Sequence, residues 1–366
     1  MIAGWKFFMI LIMKIEIQKY KLNFRFEAGT SRGVMKSKDT YFLKLYHHDN
    51  PGVYGIGECG PLTGLSPDLE GNLDNAIVQC ISTISDTEDI VTKNVTEIVP
   101  KEFPALQFAV ETAILDLHQG GNRHLFSNDF SNSISGISIN GLVWMGEKAL
   151  MLQRIEKKIN EGFKCIKIKI GAIQINEELE LLKFIRRRYS KDQITIRLDA
   201  NGAFNIENAL RILDQLAKFD IHSIEQPIMA GNWDAMEKIC SQSPIPIALD
   251  EELIGIYDKK TKIHLLEKIT PAYIILKPTL LGGLQKCKEW IELAEERSIG
   301  WWITSALESN IGLNAIAQFT ANFPVKLPQG LGTGQLFHNN ISSPLIIDKG
   351  YLKYDTNMSW DLSIPG

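Results

Sequence analysis

Lys169, Asp199, Glu225, Asp250 and Lys277 recur along the chain at intervals of 30, 26, 25 and 27 residues. Three carboxylates brought together repel one another unless a cation lies between them. Two ammonium groups in the same place could carry protons or balance developing negative charge. The set reads as a divalent-metal site flanked by two lysines. Its all-oxygen ligands suit Mg2+, with Mn2+ as a substitute.

Each of the five closes a short apolar run: CIKIK, ITIRLD, HSIE, PIALD and YIILK. Such an interval accommodates one strand, one helix and two loops. Repeated, this unit builds a parallel sheet that can close into a barrel whose strand C-termini share one mouth. The runs GISING (136–141) and WWITS (301–305) bring the visible strands to seven, and KLPQGLG (326–332) is a weaker eighth. The segments between them, such as EELELLKFIRRRY and ENALRILDQLAKF, are amphipathic at helical spacing.

The repeats are preceded by a different pattern. KIEIQKYKLNFRF and TYFLKLYHHD alternate like strands and are joined by the polar stretch Glu27–Lys38. LEGNLDNAIVQCISTI and PALQFAVETAILDLHQG are helical, and the second runs into Gly120 and Gly121 as a helix stop. The expected fold is α/β: a TIM-like barrel of the (β/α)7β type with an N-terminal α+β capping domain. The expected limits are 13–125 for the cap, 130–335 for the barrel and 336–366 for a tail. The tail's hairpin, SPLIIDKGYLKYD, is expected to return to the cap. Residues 1–12 read as a leader or a non-native start. Lys6 interrupts their apolar run, and the piece from Phe7 to Met13 is too short to span a bilayer.

Bulk composition excludes several function classes. The chain has 366 residues, 45% apolar and 22% charged, enough for a large core, and two domains are the better prior. A net charge of −4 without any Lys/Arg-rich run argues against nucleic acid or an anionic membrane as partner. Five scattered cysteines with no CxxC pair read as reduced thiols of a cytoplasmic protein. Cys59, in GECGP, is the one in a loop-like setting. A homo-oligomer is left open.

Each candidate has a plainer reading. Lys167 and Lys169 share a strand face, which points into the barrel or, equally well taken alone, to solvent. Burial and a neighbouring cation would lower a lysine's pKa toward that of a useful base. A single acidic strand end is usually a helix cap or surface turn, but three in register are harder to dismiss. Asn201 and Glu251 could support the ligands or lie on the surface. Lys277, before Pro278, could act as an acid, stabilise an anion or form a structural salt bridge. The seven histidines show no ligand spacing, and GLGTG (330–334) reads as a loop rather than a phosphate cradle.

The set Lys167-x-Lys169, Asp199-x-Asn201, Glu225-Gln-Pro, Asp250-Glu and Lys277 resembles the enolase superfamily, muconate-lactonising subgroup. The segments TSRGV (30–34), PALQFAVETAILDL (104–117), SALESNIGL (305–313) and QGLGTGQLF (329–337) are similar to a dehydratase branch of it. That resemblance implies a lyase that converts 2-succinyl-6-hydroxy-2,4-cyclohexadiene-1-carboxylate to 2-succinylbenzoate. Asp199, Glu225 and Asp250 would hold Mg2+, which takes the carboxylate of a small anionic substrate. Lys169 would remove the α-proton and return it to the departing hydroxyl, while Lys277 stabilises the anion. Lys167, Asn201 and Glu251 would support this set. Ser31 and Arg32 would close a lid, and Ser305 and Glu308 would shape the pocket.

Other reactions fit the same residues: N-acylamino-acid racemisation, dipeptide epimerisation or muconate cycloisomerisation. Epimerases of this subgroup bind the substrate's amino terminus with a D-x-D pair on the last barrel strand, whereas LPQGLGTGQLF contains no Asp or Glu. A binding protein that kept the fold and lost catalysis is the reading from another class.

Overall fold

The computed structural model describes residues 13–30, 33–85 and 94–363. The cap opens with an antiparallel sheet of β1 (Met13–Thr30), β2 (Gly33–His47) and β3 (Asn50–Cys59), in the order β1-β2-β3. The expected loop Glu27–Lys38 is largely strand. β1 and β2 stay paired out to Thr30 and Gly33, with a register shift between Asn23 and Ala28. Aromatic packing accounts for the extension, since Phe24 lies against Phe337 and Phe26 against Trp144.

Helices α1 (Leu73–Ser85), α2 (Val95–Ile98) and α3 (Pro104–His118) complete the cap. α3 lies directly on β3, and glycine makes this approach possible. A Cβ at Gly55 or Gly57 would fall 1.9 Å from the carbonyl oxygen of Ala113 or Ala109. Leu43, Leu45, Leu106, Ala109 and Val110 form the core beneath.

After an irregular stretch come two short strands, β4 (Ile137–Ser138) and β5 (Gly141–Val143). The expected strand GISING is thus divided, and only β5 joins the barrel. The units that follow are α4 (Lys148–Asn160), β6 (Cys165–Lys169), α5 (Ile175–Arg186), β7 (Thr195–Asp199), α6 (Ile206–Leu216), β8 (Ile221–Glu225) and α7 (Trp233–Gln242). They continue with β9 (Ile247–Leu249), α8 (Lys259–Ile269), β10 (Tyr273–Leu276), α9 (Pro278–Leu281), α10 (Leu284–Glu295), β11 (Gly300–Ile303) and α11 (Asn310–Thr320).

β5 to β11 form a seven-stranded sheet in sequence order, and every pair is parallel. The expected eighth strand is reduced to two parallel bridges, Ile139 with Gln329 and Thr304 with Gly330, which span the gap between the sheet's edges. Apolar side chains of strands and helices, among them Ile166, Ile196, Ile224, Leu213 and Trp290, form one large core.

The tail hairpin, β12 (Leu345–Asp348) and β13 (Tyr351–Tyr354), pairs with β4 rather than with the cap sheet. Its flanks do meet the cap. Asn339 bonds Asn23 and the Lys21 carbonyl, and Trp360 packs with Phe42 and Ile56. No helix among the described residues is long and apolar enough to cross a membrane.

Candidate active site

Lys169, Asp199 and Glu225 are the last residues of three adjacent strands, and their Cα atoms pair in register. Asp250 follows β9 and Lys277 follows β10. The parallel sheet therefore carries all five to one mouth, as their spacing predicts. Lys167 lies two residues back on the same inward face, and neither lysine of β6 is more than 8% exposed. The solvent-facing alternative for this strand is thereby removed.

The lysines and carboxylates interlock. Lys167 Nζ lies 3.0 Å from Asp199 Oδ2 and donates to Glu225. Lys169 Nζ donates to Asp199 Oδ2 at 2.9 Å and to Asn201 Oδ1 at 2.7 Å. Lys277 donates to Asp250. Asn201 returns its backbone N–H to Asp199 Oδ1 at 3.1 Å, and its amide donates to Glu251 Oε1 at 3.1 Å. Asn201 and Glu251 thus connect to the set rather than lying free on the surface.

Gln226 does work that its motif does not announce. Fully buried, it accepts from the N–H groups of Asp250 (3.2 Å) and Glu252 (3.3 Å), and its amide nitrogen donates to Glu252 Oε2 at 2.9 Å. One side chain thereby couples the loops behind two of the carboxylates. Gln226 and Asn201 both have positive φ, 39° and 45°. Such backbone is uncommon outside glycine and persists where surrounding bonds fix it.

Electrostatics follow from this packing. Burial disfavours the charge of Lys167, but Asp199, Glu225 and Asp250 outweigh it and hold its pKa above the ordinary lysine value. Lys277 is raised in the same way, against burial, by Asp250 and Glu251. The lowering expected of the β6 lysines is therefore not found at Lys167, because carboxylates crowd it more closely than cations do. Burial opposes ionisation of Asp199, yet Lys167, Lys169 and Lys277 bring its carboxyl well below the usual range. Glu225 is pushed up, chiefly by burial and then by Asp199 and Asp250, with Lys167 opposing.

The mouth opens into a solvent-connected cleft of about 710 Å³, open space included. Lys167, Lys169, Asp199 and Lys277 reach it from the sheet, while Glu225 and Asp250 sit behind their lysines. Asn140, Trp144, Thr304 and Thr333 add polar and aromatic surface, and Met35, Leu62 and Leu65 close it from the cap. Trp144 and Thr304 directly follow β5 and β11, so the strand-end rule that finds the charged residues also points to them.

Not every expected pocket residue serves as one. Ser305 lines the cavity, but its hydroxyl donates to Glu308 and accepts from Thr333 Oγ1 at 2.8 Å. Glu308 is fully buried, does not line the cavity, and receives Thr279 Oγ1 and the N–H of Ala306. It holds the wall rather than the substrate. Ser31 and Arg32 lie outside the described residues. Cys59 ends β3 fully buried, and burial pushes its thiol well above the ordinary value, so no reactive role remains.

The residues present suit a divalent cation. Glu225 Oε1 is buried without a hydrogen-bond partner, so the site contains an acceptor in want of a donor or an ion. Asp199, Glu225 and Asp250 offer only oxygen, as Mg2+ prefers. As they stand, no three His, Cys, Asp or Glu side chains among the described residues form a ligand cluster. Each of these three carboxylates is instead turned onto a lysine.

Known proteins share this fold. Residues 150–358 match the family model described as enolase C-terminal domain-like. The o-succinylbenzoate synthase of Desulfotalea psychrophila (strain LSv54 / DSM 12343) is 44% identical, over 93% of this chain and 98% of that protein. The crystal structure of MenC from Desulfotalea psychrophila LSv54 superposes with a TM-score of 0.83 at 41% identity, covering 93% of this chain and 99% of that one. A dipeptide epimerase from Enterococcus faecalis V583, solved with Mg and the dipeptide L-Leu-L-Tyr, shares the fold. Its TM-score is 0.80 at 21% identity, covering 97% of this chain and 100% of that one. The family model, the similarity along nearly the whole chain and the register of strand-end charges agree: the chain belongs to the enolase superfamily.

Proposed function

We propose that the chain catalyses the o-succinylbenzoate synthase reaction of menaquinone biosynthesis. It dehydrates 2-succinyl-6-hydroxy-2,4-cyclohexadiene-1-carboxylate to 2-succinylbenzoate. The observation that carries this reading is the placement of Lys169 and Lys277. They face one cavity from β6 and the end of β10, with three strands and Asp199 between them. The 44% identity to the Desulfotalea synthase supports the choice of reaction.

The chemistry follows from these positions. Asp199, Glu225 and Asp250 would hold Mg2+, whose charge favours the substrate carboxylate and the negative charge that develops on it. Lys169, as the base, takes the α-proton while the C–H electron pair moves toward the carboxylate. The same Nζ then gives that proton to the hydroxyl leaving from the ring, so water departs on the face from which the proton came. The ring becomes aromatic, and no oxidant is consumed. Lys277 stays charged and offsets the anion from the opposite side. Leu62, Leu65 and Leu142 supply an apolar wall for the ring.

The wall made by Gly330, Gly332 and Thr333 carries no carboxylate. A dipeptide's ammonium would be buried there without a partner, which is costly. Five free cysteines support a cytoplasmic setting. The reading is tested by following 2-succinylbenzoate from the cyclohexadiene in Mg2+ and again in excess EDTA. Product is expected only in the first; full turnover in EDTA removes the metal from the account, and no product in Mg2+ removes the reaction.

A further inference from the structure

A second buried charged group lies away from the mouth. Lys38, on β2 of the cap, is 6% exposed. Its ammonium donates to the carbonyls of Ala306 (3.1 Å) and Leu307 (2.9 Å), which lie 268 and 269 residues away on the barrel loop after β11. Both of those residues line the cavity. On its other side the ammonium meets the cap backbone, where a Cβ at Gly60 would stand 2.8 Å from Nζ. Gly60 leads into the loop that carries Leu62 and Leu65, the opposite wall of the same cavity.

Two buried carboxylates, Glu58 and Glu308, attract this ammonium through space without bonding it. Glu58 accepts from Thr40 Oγ1 (2.9 Å), Ser309 N (2.9 Å), Ser309 Oγ (2.6 Å) and Gly312 N (3.0 Å), and so caps α11 from the other domain. Glu308 accepts from Ala306 N at 2.8 Å and from the hydroxyls of Ser305 and Thr279. Burial pulls the pKa of Lys38 below its ordinary value, and the charges of Glu308 and Glu58 oppose that pull. An apolar residue in its place would leave both carbonyls without a donor and both carboxylates without a cation.

We propose that Lys38 is a positioning residue for substrate binding: its ammonium sets the gap between the cap loop 60–65 and the barrel loop 305–307. It fixes the width of the cavity's apolar side. Lys38 is not among the cavity-lining residues, so it acts on fit rather than on proton transfer. The choice of substrate for its test rests on the dehydratase reading above.

The experiment compares steady-state kinetics of wild type, Lys38→Met and Gly60→Ala, with folding checked by circular dichroism. Gly60→Ala leaves the lysine in place but pushes a methyl group at Nζ. Both variants are expected to raise KM at least tenfold while kcat stays within about threefold. An unchanged KM, or a fall in kcat that matches the rise in KM, overturns the proposal. Where Lys38→Met does not fold, Gly60→Ala decides by the same criterion. Wild-type inactivity on the cyclohexadiene counts against the reaction alone; the comparison then uses the dipeptide or N-acylamino acid that wild type does turn over.

Discussion

Lys167 Nζ lies 3.0 Å from Asp199 and also bonds Glu225, so one ammonium spans two carboxylates on neighbouring strands. In the absence of a metal, this ammonium offsets the charge of both carboxylates. Lys167→Met should destabilise the metal-free protein by about 3 kcal/mol or more, because it leaves buried carboxylates unpaired. With Mg2+ added, the loss should shrink, since the cation takes over the balance. Thermal unfolding of both proteins with EDTA and with Mg2+ checks this. An equal loss in the two conditions would assign Lys167 another role.

Lys169 and Lys277 reach the cavity from opposite sides, and only Lys169 is assigned proton transfer. Lys169→Ala should lower kcat by roughly 10²–10⁴-fold. It should also abolish exchange of the substrate α-proton with solvent deuterium. Lys277→Ala should reduce kcat nearly as much through lost charge stabilisation, yet retain measurable exchange. Wild-type rates in Lys169→Ala would end the mechanism.

His222 sits on β8 beside Arg197, stacked on Tyr273 with ring centroids 5.2 Å apart. Burial first, then Arg197, pull its pKa from 6.5 to about 4. Between those values the unfolded chain binds a proton that the folded protein does not. Stability from this group is therefore complete above about pH 6.5 and is lost progressively as pH falls toward 4. His222→Phe should show a shallower decline in denaturant midpoint from pH 6.5 to 4.5 than wild type. Identical slopes would remove His222 from the acid response.

The charged strand ends were legible because a parallel barrel repeats its unit at a nearly fixed interval. Lys169, Asp199, Glu225, Asp250 and Lys277 each followed apolar residues, and the register brought them together. The eighth strand was not legible as it stands, since Gln329 and Gly330 make single bridges rather than a ladder. Glu27–Lys38 reads as a loop because its buried residues, among them Ala28 and Lys38, do not alternate apolar with polar. Lys38 and Glu58 gave no signal at all. Their partners on the barrel lie more than 250 residues away, and local pattern contains nothing of such pairs.

The central claim is that this cavity selects a ring-bearing carboxylate for dehydration. The most direct measurement compares kcat/KM for the cyclohexadiene with values for dipeptides and N-acylamino acids, under one Mg2+ concentration. The account predicts that the cyclohexadiene is preferred by at least tenfold, roughly 1.4 kcal/mol of transition-state binding. A tenfold preference for a dipeptide or an N-acylamino acid would contradict it.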